Sequence, residues 1–447
     1  MREESLTKLL SSLGQQHLQK DFDSLDSVSK ERFIQELSSL SSVLLFKQRA
    51  LLLAPKEEPF SFSEWKECSF SVTEESEKKG KELLSRGSLA CLILAGGRGS
   101  RLGNSSPKGT VGVSVIKKKS LFQLLFERTF YAGLQCGKKL PLVIMTSSYN
   151  HQETVEFLSS HSWFGLDPDQ VHFFMQEDLP LCDTEGNWFL EAPGKLAKGP
   201  DGNGHALHLF YQSGLFEMLQ KQGVEYLNIV PIDNALADPF DVGFLGFHAT
   251  EGSDVSIKSI KRESEAEHVG VLVSDNGSLR VVEYTELAKI AKVATEEISF
   301  PLASTGLFCF TFDFIKKMVS LKHEIPWHLS FKKSLSYPPL EEKYAWKFEY
   351  FLFDVFAYAK KTSVLVLPRS LCFSPLKNAE GDNSLATVAR DLLNRDRQTY
   401  ITLTGEEPPS EVFELSMSYS YPRGGEPQSG HIQLLSEKVR SVKSCIP

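Results

Sequence analysis

Seven consecutive apolar residues, Leu89-Ala90-Cys91-Leu92-Ile93-Leu94-Ala95, run directly into Gly96-Gly97. Without polar alternation, both faces of such a segment must be covered, and it reads as an inner strand of a parallel sheet. Pro141 to Thr146 and Tyr226 to Ile232 repeat the pattern. Helical patterns lie between them. Ser120-Leu121-Phe122-Gln123 is a capping-box start for a helix to about Leu134. Further helices are expected over His151 to Ser160 and Ala206 to Gln222. Strands alternating with helices predict a doubly wound α/β sheet. Ligands of such sheets bind beyond the carboxyl ends of the strands, so the loops after Ala95, Thr146 and Ile232 are the expected site.

The 447 residues are 41% hydrophobic and 24% charged, enough apolar material for a sizeable core. Residues 1–85 are expected to form a helical N-terminal region; Ser29 to Leu37 places apolar residues at helical spacing. Residues 86–385 would carry the α/β domain. Within them, Asp275-Asn276-Gly277 between two short strand patterns, over Val269 to Tyr284, signals a hairpin. Residues 386–447 are polar, punctuated by Pro408-Pro409 and Gly424-Gly425, and read as a small strand-containing C-terminal domain.

Composition excludes several roles. With 49 basic and 57 acidic residues, the net charge of −8 argues against a nucleic-acid or anionic-membrane surface as the main partner. The start, Met1-Arg2-Glu3-Glu4-Ser5, leads into no apolar signal segment, and Val43 to Ala54 is too short and too charged to span a bilayer. Seven scattered cysteines with no Cys-x-x-Cys pair indicate reduced thiols and a cytoplasmic setting.

Four segments carry chemistry. The first is Leu94-Ala95-Gly96-Gly97-Arg98-Gly99-Ser100-Arg101-Leu102-Gly103, followed by Pro107-Lys108-Gly109. Glycines let the backbone approach a ligand closely, and their N–H groups cradle phosphate oxygens. Arg101 and Lys108 add positive charge for a polyphosphate. A dinucleotide fingerprint requires glycine at position 102, where leucine stands, and a Walker loop requires Gly-Lys-Ser/Thr, which is missing. The second, Lys198-Gly199-Pro200-Asp201-Gly202-Asn203-Gly204-His205, is a glycine loop ahead of a helix, for which a plain surface turn is an equal reading. The third, Ile232-Asp233-Asn234, puts a carboxylate at a strand's carboxyl end, where it suits Mg²⁺ bridging phosphates or, alternatively, an Asx turn. The fourth, Phe373-Ser374-Pro375-Leu376-Lys377-Asn378, offers a lysine within reach of a phosphate.

Together with Val282-Glu283-Tyr284 and Phe353-Asp354-Val355-Phe356, these motifs, in this order, resemble those of the eukaryotic-type UDP-sugar pyrophosphorylases, most closely the UDP-N-acetylhexosamine branch. The resemblance runs from about Leu89 to Glu380 and implies a nucleotidyltransferase (Rossmann-like) fold with a mostly parallel sheet, a helical N-terminal part and a smaller C-terminal part. It implies a uridylyltransferase making UDP-sugar and pyrophosphate from UTP and a sugar 1-phosphate, with Mg²⁺ as cofactor. By that resemblance Gly96 and Gly97 face the uridine, and Gln176 and Gly202 read the uracil edge. Arg101 and Lys108 hold the triphosphate, Asp233 binds the metal, and Lys377 grips the sugar phosphate. Asn203, Gly270 and Glu283 line the sugar side, with Ser304 at its edge. Two departures stand out. Ser304-Thr305-Gly306-Leu307 occupies the place of Asn-Ala-Gly-Asn, leaving both N-acetylglucosamine 1-phosphate and glucose 1-phosphate as acceptors, and His205 stands where the family carries glycine. The reading from a different class is a non-catalytic nucleotide-sugar sensor or scaffold.

Overall fold

A computed structural model describes residues 3–54, 62–97, 99, 102–103, 106–287 and 298–419. The chain forms two compact units. The larger takes residues 61–175, 207–322 and 355 onward; the smaller takes 1–60, 176–206 and 323–354.

A ten-stranded sheet is the frame of the larger unit. Its strands are β1 (Ser63–Glu64), β2 (Leu89–Leu94), β3 (Leu142–Thr146), β4 (Val171–Met175), β5 (Tyr226–Pro231), β6 (Val255–Lys261), β7 (Val271–Asp275), β8 (Ser278–Val282), β9 (Leu302–Thr311) and β10 (Thr362–Val366). The order is β1-β7-β9-β5-β2-β3-β4, with β6 paired to β9 and β10, and β8 paired to β7. Strands β5, β2, β3 and β4 run parallel. Leu94 lies opposite both Met145 and Pro231, so three glycine- or polar-rich loops leave the sheet at one level. The expected strands and the doubly wound α/β class are borne out. Helix His151–Ser160 has the expected bounds. The helix after Ser120 runs Leu121–Cys136. Ser120 caps it, accepting from Gln123 N, whereas the Gln123 amide turns to Glu127. The expected helix over 206–222 is two, Ala206–Gln212 and Leu215–Lys221, separated by Gly214 at φ 80°. In the β7–β8 hairpin, Asn276 and Gly277 both take positive φ, the requirement of a two-residue type I′ turn.

The smaller unit packs four helices, Glu3–Ser12, Leu18–Asp23, Ser27–Ser38 and Ser42–Leu53, with a long hairpin, His328–Ser336 and Glu341–Glu349. Its core joins Leu6, Leu10, Phe22, Phe33, Trp188 and Phe348. Trp188 is fully buried and all its polar atoms are engaged. Its N–H donates to Gln15 Oε1, its indole N–H to Gln48 Oε1 (2.8 Å each), and His17 Nε2 lies 2.7 Å from its carbonyl. The unit is assembled from three chain segments, so its limits differ from the consecutive regions 1–85, 86–385 and 386–447 expected above.

Of the expected C-terminal domain, 386–447, residues 386–419 are described. Among the described residues beyond 385 there is no strand. Leu385–Thr404 is a 20-residue helix that buries Val388, Leu392, Arg395 and Tyr400 at helical spacing, and residues 420–447 lie outside the described residues. It packs in the core of the larger unit, and Asp391 Oδ2 accepts from Ser374 Oγ at 2.8 Å.

Glycine governs one helix contact. Helix Glu74–Arg86 meets helix Val242–Glu251 so closely that a Cβ on Gly246 would lie 1.6 Å from Ser76 O, and one on Gly80 would lie 1.9 Å from Val242 O. Replacing Gly246 by alanine gains about 1 kcal/mol of helix propensity. The methyl meets rigid backbone, however, and such overpacking costs roughly 1–3 kcal/mol or more. The expected outcome for Gly246→Ala is a net loss of about 2 kcal/mol in urea unfolding; a stabilised variant would refute the close approach.

Candidate active site

In the larger unit, the loops beyond the parallel strands bring a cation and a carboxylate together. Asp233 follows β5, and its Oδ2 lies 3.5 Å from Lys108 Nζ, both side chains about four-fifths covered (21% and 17% exposed). Lys108 is held by its neighbours. Pro107-Lys108-Gly109 enters a single turn of 3₁₀ helix, Lys108–Thr110, against the buried ring of Phe122. A Cβ on Gly109 would sit 2.2 Å from that ring, so only glycine permits this seat.

Asn234 fixes the other side. Its Nδ2 donates to Cys372 O (2.7 Å), and its Oδ1 accepts from Ser374 N (2.9 Å) and Leu236 N (3.2 Å). Leu376 N donates to Asp233 O at 2.8 Å. The Asp233 loop and the segment entering Lys377 are thereby stitched edge to edge. Lys377 N in turn donates to Asn383 O at 2.7 Å, closing the loop that carries the lysine. Arg128, fully buried, donates from Nη1 to Ala237 O and braces the same loop from beneath.

The glycine loop after β2 has its own bracket. Asn150 Nδ2 donates to Ala95 O (2.8 Å) and Gly97 O (3.4 Å), while Oδ1 accepts from Ser147 N and Oγ. Gly96 is buried and Gly97 exposed. Arg101 lies outside the described residues, as does Arg98.

Gly270, Glu283 and Ser304 also come together. Ser304 N donates to Gly270 O at 2.8 Å, and a Cβ on Gly270 would lie 3.7 Å from Glu283 Oε1. Ser304 opens an irregularity in β9. Ser259 pairs with Ser304 and Lys258 with Leu307, so Thr305 and Gly306 bulge out of the β6–β9 ladder. Gly306 takes φ 74°, and Thr305 Oγ1 donates to Lys258 O at 2.6 Å.

In the smaller unit, Gln176 is buried, and the Pro200-Asp201-Gly202-Asn203-Gly204 loop is moulded on Tyr350. Tyr350 N donates to Asp201 O (2.7 Å), and Tyr350 O accepts from Asn203 N (3.1 Å) and Gly204 N (2.9 Å). Gly202 sits at φ 88°, where a Cβ would be 2.3 Å from Tyr350 O. Asn203 Oδ1 accepts from Leu352 N at 2.9 Å. The His205 ring lies against Tyr350, centroids 3.8 Å apart, and its Nδ1 is 3.2 Å from Asp201 Oδ2. Burial raises the Asp201 carboxyl above the ordinary carboxylate range; His205 opposes this.

The family model of UTP–glucose-1-phosphate uridylyltransferase matches residues 54–420. The chain belongs to this family. A probable UDP-N-acetylglucosamine pyrophosphorylase of Dictyostelium discoideum is 32% identical over 417 residues, covering 85% of each chain. UDP-N-acetylglucosamine diphosphorylase 2 of Arabidopsis thaliana is 35% identical over 324 residues, 68% of this chain and 64% of the plant protein. The structure of the Trypanosoma brucei uridine diphosphate N-acetylglucosamine pyrophosphorylase, in complex with an inhibitor, superposes with TM-score 0.74 at 27% identity, over 90% of this chain and 86% of that one. The resemblance carried by the motifs, and its acetylhexosamine branch, are borne out.

Asn150, Asn234 and Arg128 were not among the residues expected at the site. The signal for the two asparagines is their place just past a strand end, in Ser147-Ser148-Tyr149-Asn150 and Asp233-Asn234; Arg128, inside a helix, carries none. Removing the Asn234 amide leaves buried backbone groups of both stitched segments without partners, at roughly 1–3 kcal/mol for each unsatisfied group. Asn234→Ala is expected to lose about 3 kcal/mol in equilibrium unfolding; a change below about 0.5 kcal/mol would show that the stitch carries no load.

Proposed function

We propose that this chain is a Mg²⁺-dependent uridylyltransferase that converts UTP and a sugar 1-phosphate, N-acetylglucosamine 1-phosphate or glucose 1-phosphate, into UDP-sugar and pyrophosphate. The observation that carries the reading is the Lys108–Asp233 pair at the carboxyl end of the parallel strands, with the Lys377 segment stitched to the same loop. The Asp233 carboxylate is a hard oxygen donor, and Mg²⁺ takes one or two such carboxylates with phosphate oxygens and water, so the residue fits the ion. When bound, Mg²⁺ neutralises phosphate charge as it develops.

The rest falls to the chain. A phosphate oxygen of the sugar 1-phosphate attacks the α-phosphorus of UTP, the bond to the α,β-bridging oxygen breaks, and its electron pair leaves with pyrophosphate. No protein nucleophile takes part. Gly96 and Gly97 offer backbone N–H groups; Lys108 and Arg101 balance the charge of the departing pyrophosphate; Lys377 orients the incoming phosphate. Gln176 and Gly202 read the uracil edge, and Asn203, Gly270, Glu283 and Ser304 meet the sugar. Six described cysteines are all free, which suits a cytoplasmic setting. Among the described residues, no helix is long and apolar enough to cross a membrane.

Pyrophosphate release from UTP and Mg²⁺, run in parallel with glucose 1-phosphate, N-acetylglucosamine 1-phosphate and N-acetylgalactosamine 1-phosphate, tests the reading. Release with one of the first two is expected. UTP binding without release, by folded protein, would move the reading to a sensor or scaffold. Asp233→Ala is expected to lower kcat by about 100-fold or more while thermal unfolding shifts little, since charge-stabilising groups of this kind carry roughly 10²–10³ in rate. For Lys377→Ala the KM for sugar 1-phosphate is expected to rise about tenfold or more with the KM for UTP nearly unchanged. Equal effects on both substrates would remove Lys377 from the sugar-phosphate role.

A further inference from the structure

We propose that Glu177, Asp201 and His205 form a binding site for a first-row transition-metal ion of the Zn²⁺ type, separate from the Mg²⁺ role given to Asp233 and independent of the uridylyltransferase reading. One ligand atom from each of the three lies within 4.8 Å of the other two. His205 Nδ1 and Asp201 Oδ2 are 3.2 Å apart. With metal–nitrogen and metal–oxygen bonds of about 2.0–2.2 Å, neighbouring donors of a tetrahedral ion stand roughly 3.3–3.6 Å apart, so these two atoms are within about 0.1 Å of the edge of that tetrahedron. One imidazole and two carboxylates make a borderline donor set, which selects Zn²⁺ and its first-row neighbours over Mg²⁺ or Ca²⁺.

A second observation points the same way. Asp201 is 1% exposed, and its carboxylate oxygens meet the His205 imidazole at 3.2 Å without a well-aligned hydrogen bond from any described residue. A buried carboxylate in that condition is costly unless a cation completes it. The two buried ligands are rigidly placed before any ion arrives. Asp201 is fixed at both backbone groups, its N–H donating to Glu177 O (3.0 Å) and its carbonyl accepting from Tyr350 N (2.7 Å). The His205 ring packs against the Tyr350 ring, centroids 3.8 Å apart and planes tilted by 34°. Glu177 is exposed and supplies the movable third ligand and the way in, and water would complete the coordination. A bound ion would tie residue 177, next to Gln176, to the loop of Gly202 and Asn203.

Co²⁺ reports such a site because its visible absorption reveals a four-coordinate environment, which Mg²⁺ cannot do. Full-length protein, stripped with chelator, would be titrated with Co²⁺ and then with Zn²⁺. One equivalent of Co²⁺ with a visible band, displaced by one equivalent of Zn²⁺, is expected. The affinity should fall by about 100-fold in His205→Gly and by about tenfold or more in Glu177→Gln, at or beyond the roughly 10–100-fold carried by outer-shell partners. Glu177 is exposed, so the second variant keeps the test valid if the first fails to fold. No saturable band in the parent protein, or a band of unchanged affinity in Glu177→Gln and in His205→Gly where that variant folds, would overturn the site; thiolate-to-cobalt absorption in the near ultraviolet would assign the ion to cysteine instead.

Discussion

Phosphate chemistry without a protein nucleophile depends on fixed charges held at fixed places. In this chain the fixing is done by an uncharged side chain. The Asn234 amide uses both its oxygen and its nitrogen on backbone groups, reaching 138 residues along the chain to Cys372 and 140 to Ser374. Because it bonds backbone, it sets main-chain position and leaves the neighbouring side chains alone. Asp233 and Lys377 then extend from two stitched edges, and Lys108 approaches from a turn that Gly109 seats on Phe122. An amide suits this task better than a charge. It donates and accepts at once, loses less on burial than an ion, and adds no competing field beside the carboxylate and the lysines.

The central strands and their loops were readable in advance for a simple reason. A strand buried on both faces shows as an uninterrupted apolar run, and glycines mark the loop that follows it. The hairpin at Asn276-Gly277 was readable because its turn type demands positive φ. The brackets that hold the loops were not, because Asn150 and Asn234 act through contacts tens to hundreds of residues distant, which leave no local pattern. The two-unit division was equally silent: the smaller unit draws on three separated segments, and no composition change marks the joins. The helix Leu385–Thr404 lies where the sequence turns polar. Its buried positions are few and include Arg395, so the apolar stripe is thin in the sequence although it packs in the core.

The glycine motif of the smaller unit is set by packing. Gly202 and Gly204 are glycine because the backbone and Cβ of Tyr350 leave no room for a methyl group. That close fit delivers the backbone of residues 201–204 in one conformation. A rigid loop of this kind loses little entropy when a ligand arrives, which is what preorganisation means in free-energy terms. The same fit brings Asp201 and His205 side by side in a dry setting.

The bulge in β9 separates two demands that a regular strand would couple. Residues 302–304 and 307–311 keep the sheet's registry, while Thr305 and Gly306 stand outside the ladder. Side chains at this corner are therefore exposed to evolutionary change on terms the sheet does not dictate. Exchanging a side chain at the corner leaves the folding problem, already solved by the strands on either side, unchanged.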